Sequence, residues 1–181
     1  MTPRGRCYNG LMRVLGIAGY SGSGKTTLIE KVIPVLVKAG LRVSLIKHAH
    51  HEFDVDQPGK DSYRHRHAGC SEVLISSSNR WALMHELRGA DEPSLQEQLK
   101  HLSPCDLVLV EGYKRLSLPK LEVYRAEVAK PWLHPDDPNI VGIASDVRPP
   151  APGSRVVLPL DGYDEIATFV TEHARPARPG D

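Results

Sequence analysis

The hydrophobic pattern of this chain alternates between short apolar runs and longer segments in which apolar side chains recur every three or four residues. The runs predict buried strands, and the spaced segments predict amphipathic helices. Strands are predicted at residues 13–18, 42–47, 71–76, 80–87, 106–111, 120–128 and 139–144, and helices at residues 25–39, 61–68, 94–102 and 161–173. This alternation predicts an α/β fold, a mostly parallel sheet flanked by helices.

Two regions of the pattern depart from a simple parallel sheet. The segments on either side of Ser77-Ser78-Asn79 predict an added antiparallel hairpin, with Trp81 at a half-buried strand position. Residues 120–128 alternate only loosely between polar and apolar side chains. We therefore expect this segment to be a strand at a sheet edge or in a hairpin.

The ends of the chain fit no predicted element of the sheet. Residues 1–11 precede the first strand, and a proline-rich tail at residues 175–181 follows the last helix. We expect a flexible extension at residues 1–11, and a single domain at residues 12–174, because a chain of 181 residues is long enough for one hydrophobic core.

Residues 19–27 read Gly-Tyr-Ser-Gly-Ser-Gly-Lys-Thr-Thr and match the phosphate-binding loop (P-loop) pattern G-x-x-x-x-G-K-[ST] at every fixed position. In such a loop, glycines let backbone N–H groups and a helix N-terminus face a phosphate. Lys25 is expected to contact the β- and γ-phosphates, and the Thr26 hydroxyl to join Mg²⁺ coordination. The expected triphosphate-binding residues are Gly19, Ser21, Gly22, Ser23, Gly24, Lys25, Thr26 and Thr27.

Composition narrows the classes of function. The chain is 40% apolar and 25% charged, which is ordinary for a soluble protein, and its net charge of +1 does not indicate nucleic acid or a membrane surface as a partner. No apolar stretch approaches the ~20 residues of a membrane span. Three cysteines without metal-ligand spacing suit a reducing compartment. We therefore expect a cytoplasmic protein.

Acidic residues follow three of the predicted strands, where an open α/β sheet places its ligand. Glu111 closes a buried strand and is either a Mg²⁺ ligand, directly or through water, or a solvated strand end. Asp54 and Asp56 are candidates to hold Mg²⁺ or to orient an attacking water, and an acidic loop in solvent is equally compatible. Asp146 offers a carboxylate to both N–H donors of a guanine edge, or it starts a turn before Pro149.

Histidines and basic residues concentrate near the second strand and in the short helix after it. The histidines suggest either a transition-metal site or a polar loop, and they are His48, His50, His51, His65 and His67. The basic residues suggest a rim for a phosphorylated ligand or an acidic partner, or a solvated face, and they are Arg64, Arg66, Lys114 and Arg115.

Several segments together carry a family resemblance. They are Leu-Ile-Lys-His-Ala-His-His at 45–51, Asp-Val-Asp at 54–56, Pro-Gly-Lys-Asp-Ser at 58–62, Arg64, Ala-Gly at 68–69, Trp-Ala-Leu-Met at 81–84 and Val-Glu-Gly-Tyr-Lys at 110–114. They resemble the MobB family of molybdopterin-guanine dinucleotide biosynthesis adaptor proteins, and the resemblance runs from about Met12 to Asp146.

The resemblance implies a P-loop GTP-binding protein with weak GTPase activity that acts as an adaptor in molybdenum cofactor biosynthesis. The assisted step joins GMP from GTP to molybdopterin, and a separate transferase, MobA, catalyses it. Molybdopterin and the apoproteins of molybdoenzymes are further candidate partners, and the family is typically a homodimer in which strands of the two subunits meet. Carried onto this sequence, residues 22–27 bind phosphate, Thr26 and Glu111 bind Mg²⁺, and Asp146 binds guanine.

Two features of the sequence depart from related nucleotide-binding proteins. It lacks an Asn-Lys-x-Asp guanine signature, and its P-loop lacks the second lysine of many dimeric ATPases. The complete P-loop with its nearby basic helix, and the clustered histidines, are compatible with two other functions. One is a small-molecule kinase with Asp54 or Asp56 as general base, and the other is a metallochaperone GTPase that uses the clustered histidines.

Overall fold

The computed structural model describes residues 11–49, 53–113 and 116–177. Contacts divide the chain into two compact units. The larger contains the described residues up to His48 and from Gln96 onward, and the smaller runs from Ala49 to Leu95. The expected extension at residues 1–11 lies outside the described residues except for Leu11, as do His50, His51, Lys114 and Arg115.

Nine strands and four helices form the described chain, together with one short 3₁₀ turn at Ala126–Val128. The strands are β1 Met12–Ala18, β2 Val43–Lys47, β3 Glu72–Ser76, β4 Trp81–His85, β5 Leu107–Glu111, β6 Lys120–Tyr124, β7 Ile140–Ser145, β8 Val156–Pro159 and β9 Arg175–Ala177. The helices are α1 Lys25–Lys38, α2 Asp61–His67, α3 Leu95–Lys100 and α4 Tyr163–His173. Most predicted elements are confirmed, with ends shifted by a few residues, but the sequence did not predict β8 or β9.

The larger unit is built on a seven-stranded sheet of order β2-β5-β1-β6-β7-β8, in which β9 also pairs with β1. Every neighbouring pair is parallel except β1 with β9. Glu111 lies opposite both Ile17 and Lys47, and Glu122 lies opposite Ala18. The carboxyl ends of these strands therefore share one edge of the sheet, and the predicted mostly parallel α/β fold is confirmed.

The hydrophobic core of the larger unit lies between this sheet and the helices α1 and α4. Alternate strand residues point to this face, which is the period expected of a sheet. The buried strand side chains are Leu15, Ile17, Leu107, Leu109, Leu121, Val123 and Ala144, and the helices contribute Leu28, Ile29, Val32, Leu36, Ile166, Ala167, Phe169 and Val170. This packing holds the start of α1 at the carboxyl end of β1.

β6 corrects the prediction for residues 120–128. It is an interior strand between β1 and β7, it ends at Tyr124, and residues 126–128 form the 3₁₀ turn. Lys120 and Glu122 are each only 1% exposed, although both are charged. Their partners come from the β6–β7 connection, where Asp137 bonds Lys120 and His134 bonds Glu122. Buried polar groups are tolerated when they are hydrogen-bonded, so the loose alternation reflects this network and not a solvent-exposed edge.

The smaller unit contains α2 and the antiparallel pair of β3 with β4, in which Ser76 lies opposite Trp81. The predicted hairpin is confirmed, but the predicted half-buried position of Trp81 is wrong, since this side chain is 63% exposed. Within the described part of this unit, α2, β3 and β4 contain no buried side chain. A two-stranded sheet with one short helix offers too little surface to cover an indole.

None of the described helices combines the length and the apolar composition that crossing a membrane requires.

Candidate functional site

Residues 19–24 connect the end of β1 to the start of α1 as a tight loop. Gly24 has φ 88° and is the N-terminal capping residue of α1, a left-handed conformation that glycine adopts without strain. Gly19 allows a close backbone approach, because a Cβ placed there would lie 2.5 Å from the carbonyl oxygen of Val123. Both glycines are therefore required by the local geometry of the loop.

The N-terminus of α1 is open to an anion. The helix has no side-chain cap, and its first turn contains no acidic residue. The first N–H groups of a helix have no partner within it, and the helix dipole adds positive potential at this end. Thr26 and Thr27, in the first turn of α1, are exposed. This arrangement suits a phosphate group.

Two further side chains of the loop have defined positions. The Lys25 ammonium donates to the carbonyl oxygens of Gly19, at 3.0 Å, and Tyr20, at 2.8 Å, which holds its charge over the loop. The Ser23 hydroxyl is buried and has no hydrogen-bond partner among the described residues. Ser23 therefore faces into the loop, and its backbone N–H donates to the carbonyl oxygen of Tyr20 at 3.2 Å.

Glu111 lies at the carboxyl end of β5, next to β1, and is 6% exposed. Its carboxylate is 3.8 Å from the ammonium of Lys47, which stands opposite it on β2. Carboxylate and hydroxyl oxygens are hard ligands of the kind Mg²⁺ prefers. The donor types of Thr26 and Glu111 therefore fit Mg²⁺, with Lys47 as a competing cation.

Asp146 directly follows β7 and is exposed. Its Oδ1 accepts a hydrogen bond of 2.9 Å from the backbone N–H of Ala126, the first residue of the 3₁₀ turn. No hydrogen bond to Oδ2 is found among the described residues. Asp146 therefore braces the turn after β6, and it keeps one carboxylate oxygen available to a ligand.

Asp54 and Asp56 lie in the smaller unit and share one cation, Arg66. Its guanidinium donates to both oxygens of Asp54 at 2.8 Å and to Asp56 at 3.3 Å, and also to Glu86 at 2.6 Å. The hydrogen bond from Arg66 lowers the pKa of Asp54 below its usual value, which makes this carboxylate a weaker base. Their catalytic role remains a prediction, and the structure gives both aspartates a different, ion-paired role.

The described histidines do not form a metal site. The ring of His48 lies 4.7 Å from that of Tyr113, and the ring of His67 stacks on Tyr63 at 3.8 Å. Among the described residues, no group of three or more His, Cys, Asp or Glu side chains is placed to hold a metal ion. His50 and His51 lie outside this search, as do Lys114 and Arg115 of the suggested basic rim.

Arg125, which follows β6 beside the P-loop, is not among the residues that the sequence predicts for the site. A Cβ placed on Gly24 would lie 3.3 Å from Nη2 of Arg125. The signal in the sequence was a basic residue directly after an apolar strand. It was overlooked because β6 was assigned to an edge or a hairpin, so its carboxyl end was not expected next to the loop.

Residues 14–146 match the family model described as Molybdopterin guanine dinucleotide synthesis protein B. The chain belongs to the MobB family. Among similar MobB proteins, the molybdopterin-guanine dinucleotide biosynthesis adapter protein of Haemophilus influenzae is 41% identical over 162 residues, which cover 90% of this chain and 89% of the relative. The protein of the same description from Escherichia coli is 39% identical over 165 residues, covering 90% and 93% of the two chains.

Solved MobB structures share the fold. The crystal structure of a MobB protein homolog from Bacillus stearothermophilus is 26% identical and superposes with a TM-score of 0.65, covering 89% of this chain and 97% of that one. Bacillus subtilis MobB, at 22% identity, has a TM-score of 0.68. The P-loop and the parallel sheet therefore belong to a fold that MobB proteins have in common.

Proposed function

We propose that this MobB-family chain is a GTP-binding adapter in the synthesis of molybdopterin guanine dinucleotide, with weak GTPase activity. The observation that carries the proposal is the complete P-loop at the uncapped start of a 14-residue helix. The adapter role is supported by the printed description of relatives that match 90% of the chain. In bound GTP, the protein would recognise the guanine base, and the loop would stabilise the negative charge of the phosphates.

The phosphate chain is assigned to residues 19–27. Backbone N–H groups from Gly22 to Thr27 would surround the phosphates. The Ser23 N–H and the Lys25 ammonium would exchange their bonds to loop carbonyl groups for bonds to phosphate oxygens. Thr26 and Glu111 would hold the Mg²⁺ ion. This ion would neutralise part of the phosphate charge, as it does in other P-loop proteins.

The guanine assignment depends on Asp146. Guanine presents two N–H donors that one carboxylate accepts together, and adenine does not offer this arrangement. Asp146 lies at the carboxyl edge of the sheet, where Oδ2 has no hydrogen bond from the described residues and Oδ1 would accept the second guanine N–H beside that of Ala126. Its bond to Ala126 would also keep the carboxylate in a fixed orientation.

The hydrogen bonds that Asp54 and Asp56 accept are compatible with weak GTP hydrolysis. Asp54 and Asp56 both accept hydrogen bonds from Arg66, and Asp56 also accepts one of 2.8 Å from the hydroxyl of Ser62. A carboxylate held in this way activates water or an acceptor hydroxyl poorly. These contacts favour the adapter over the small-molecule kinase.

The proposed partners are the separate transferase MobA, molybdopterin or molybdoenzyme apoproteins, and a second copy of this chain. One surface of the chain supports binding to a partner protein. The hairpin β3–β4 carries apolar side chains that are largely exposed, with Leu74 at 60% and Trp81 at 63%. Exposed apolar surface of this kind commonly marks a contact with another protein.

The first prediction concerns base choice. We expect titration calorimetry to show tighter binding of a non-hydrolysable GTP analogue than of the matching ATP analogue, each with Mg²⁺. Equal affinities, or a preference for ATP, would contradict the guanine assignment and favour a kinase. Phosphorylation of an acceptor at ordinary kinase rates would reject the adapter function.

The second prediction concerns Asp146. We expect Asp146→Asn to reduce the preference for GTP over ATP by about tenfold, since a hydrogen bond to a charged group contributes about 1.5–3 kcal/mol. The amide loses one acceptor, whereas the affinity for ATP should stay unchanged. Asp136→Asn, an exposed aspartate in the β6–β7 connection, is the matched control. If Asp146→Asn kept the preference for GTP over ATP unchanged, the guanine role of Asp146 would be rejected, and its role would be to hold the 3₁₀ turn.

A further inference from the structure

Arg125 is a cation held against the anion-binding loop. If Gly24 carried a Cβ atom, that atom would lie 3.3 Å from Nη2 and 3.6 Å from Nε of the Arg125 guanidinium. Gly24 is the capping residue of α1, so the guanidinium lies at the end of the helix where backbone N–H groups face an anion. The side chain is partly enclosed, with 35% of its surface exposed.

The guanidinium has few partners in the protein itself. Its one ion pair among the described residues is with Glu127, at 3.7 Å, and that carboxylate is 75% exposed. Arg66, by contrast, makes hydrogen bonds of 2.6 and 2.8 Å to carboxylates, and Arg42 makes one of 3.2 Å. Arg125 thus keeps N–H donors for an external acceptor, and the planar guanidinium matches pairs of phosphate oxygens.

The backbone that carries Arg125 is fixed on both sides. The N–H of Ala126 donates to Asp146, and the carbonyl oxygen of Arg125 accepts from the N–H of Val128 at 3.1 Å. The preceding residue, Tyr124, ends β6, and its ring stacks on that of Trp132 with 3.5 Å between the ring centroids. The side chain is therefore presented to the loop by a rigid support, as a preorganised binding residue requires.

The electrostatics point in the same direction. A cation next to the N-terminus of a helix is unfavourable, because the helix dipole is positive there. The first turn of α1 contains no acidic side chain to compensate it. The position of Arg125 is therefore electrostatically unfavourable in the protein without ligand. An anion bound in the loop would make it favourable.

We propose that Arg125 binds the phosphate chain of the nucleotide, alongside the P-loop. This inference rests on the proposed function, because it requires a triphosphate in the loop. It adds a residue outside the P-loop motif that contributes to affinity for the phosphates. Arg125 is a binding residue in this proposal, with no step of hydrolysis assigned to it.

The test compares Arg125→Gln with the wild type in calorimetric titrations with GMP, a GTP analogue and inorganic tripolyphosphate, all with Mg²⁺. We expect Arg125→Gln to weaken binding of the GTP analogue and of tripolyphosphate by about 10- to 100-fold, and binding of GMP less. Arg125→Lys should be intermediate, because it keeps the charge but not the planar fork. Arg80→Gln, an exposed arginine in the hairpin loop, should match the wild type.

Urea unfolding without ligand separates binding from a merely structural role. We expect the free energy of unfolding of Arg125→Gln to equal or slightly exceed that of the wild type, because the unfavourable cation is gone. A clear loss of stability, unchanged affinities, or a loss for GMP with none for tripolyphosphate would each overturn the proposal.

The same titrations separate this inference from the proposed function. Wild-type protein that binds tripolyphosphate and ATP as well as GTP would reject the guanine-specific adapter, while the Arg125→Gln comparison would still decide the phosphate contact. Wild-type protein that binds none of these probes would overturn both.

Discussion

Lys25→Ala is expected to weaken binding of the magnesium complex of GTP by about 100-fold or more, because hydrogen bonds to charged groups contribute about 1.5–3 kcal/mol each and this side chain would make two. The fold should persist. Lys25 is partly exposed, and its bonds to Gly19 and Tyr20 join it to carbonyl groups of its own loop. Titration calorimetry with a non-hydrolysable analogue measures the affinity, and thermal unfolding measures stability.

The control for this variant lies on the same helix. Lys38 is an exposed lysine in the last turn of α1, so Lys38→Ala removes the same charge far along the helix from the loop. It should bind GTP like the wild type. If Lys25→Ala also bound GTP like the wild type, the P-loop assignment would be rejected.

Because Lys25→Ala should lose GTP binding, it should also lose the adapter function. With MobA, molybdopterin and GTP in a dinucleotide-formation assay, wild-type protein should increase product formation and Lys25→Ala should not. Equal stimulation by both proteins would show that the adapter acts without its own nucleotide. That result would leave the calorimetric prediction standing and contradict only the coupling between nucleotide binding and assistance.

Glu122→Ala is expected to lower the free energy of unfolding by about 3–5 kcal/mol, because it leaves three donors without their acceptor, at about 1–3 kcal/mol for each unsatisfied buried group. The Glu122 carboxylate accepts three hydrogen bonds, from the backbone N–H groups of Leu133 and His134, at 2.6 and 3.0 Å, and from His134 Nδ1 at 3.0 Å. All three donors would lose their partner, and two of these bonds, both from His134, are fully buried. The His134 ring would keep its contact of 3.0 Å with the carbonyl oxygen of Pro150, and the His134 carbonyl oxygen would keep the hydrogen bond of 2.6 Å from Arg155.

Urea unfolding without nucleotide is the measurement, because a bound ligand raises the apparent stability. Glu127→Ala is the matched control, since this glutamate belongs to the same connection but is 75% exposed, and it should change stability by less than about 0.5 kcal/mol. Glu122→Gln should fall between the two, because its amide keeps one acceptor oxygen. Equal stability of Glu122→Ala and Glu127→Ala would show that this network contributes little.

The fold was largely predictable from local signals. The P-loop lies between an apolar run and a segment of helical period, and the structure has β1 and α1 there. Buried parallel strands such as β5 are continuous apolar runs, which the sequence displays directly. Short strands with weak patterns, such as β8 and β9, were missed because pairing with β7 and β1, and not their own composition, makes them strands.

The candidate site was predictable where a motif carries it and unpredictable where distant partners do. Asp54 and Asp56 have the spacing of a shared catalytic site, yet Arg66 satisfies both. Asp146 has the position of a base-binding residue, and the structure adds its bond to Ala126. Spacing along the chain shows which side chains share a face, but it does not show which partner reaches them.

The sequence alone determined that this chain has a P-loop between a strand and a helix in a mostly parallel sheet, because these features depend on residues close together in the chain. Only the tertiary structure decided that β6 is interior and that Arg125 lies beside Gly24 of the loop. Both depend on groups brought together across the sheet, such as Glu122 with His134. The free energy of burying a charge depends on that partner, which the hydrophobic pattern of the strand does not contain.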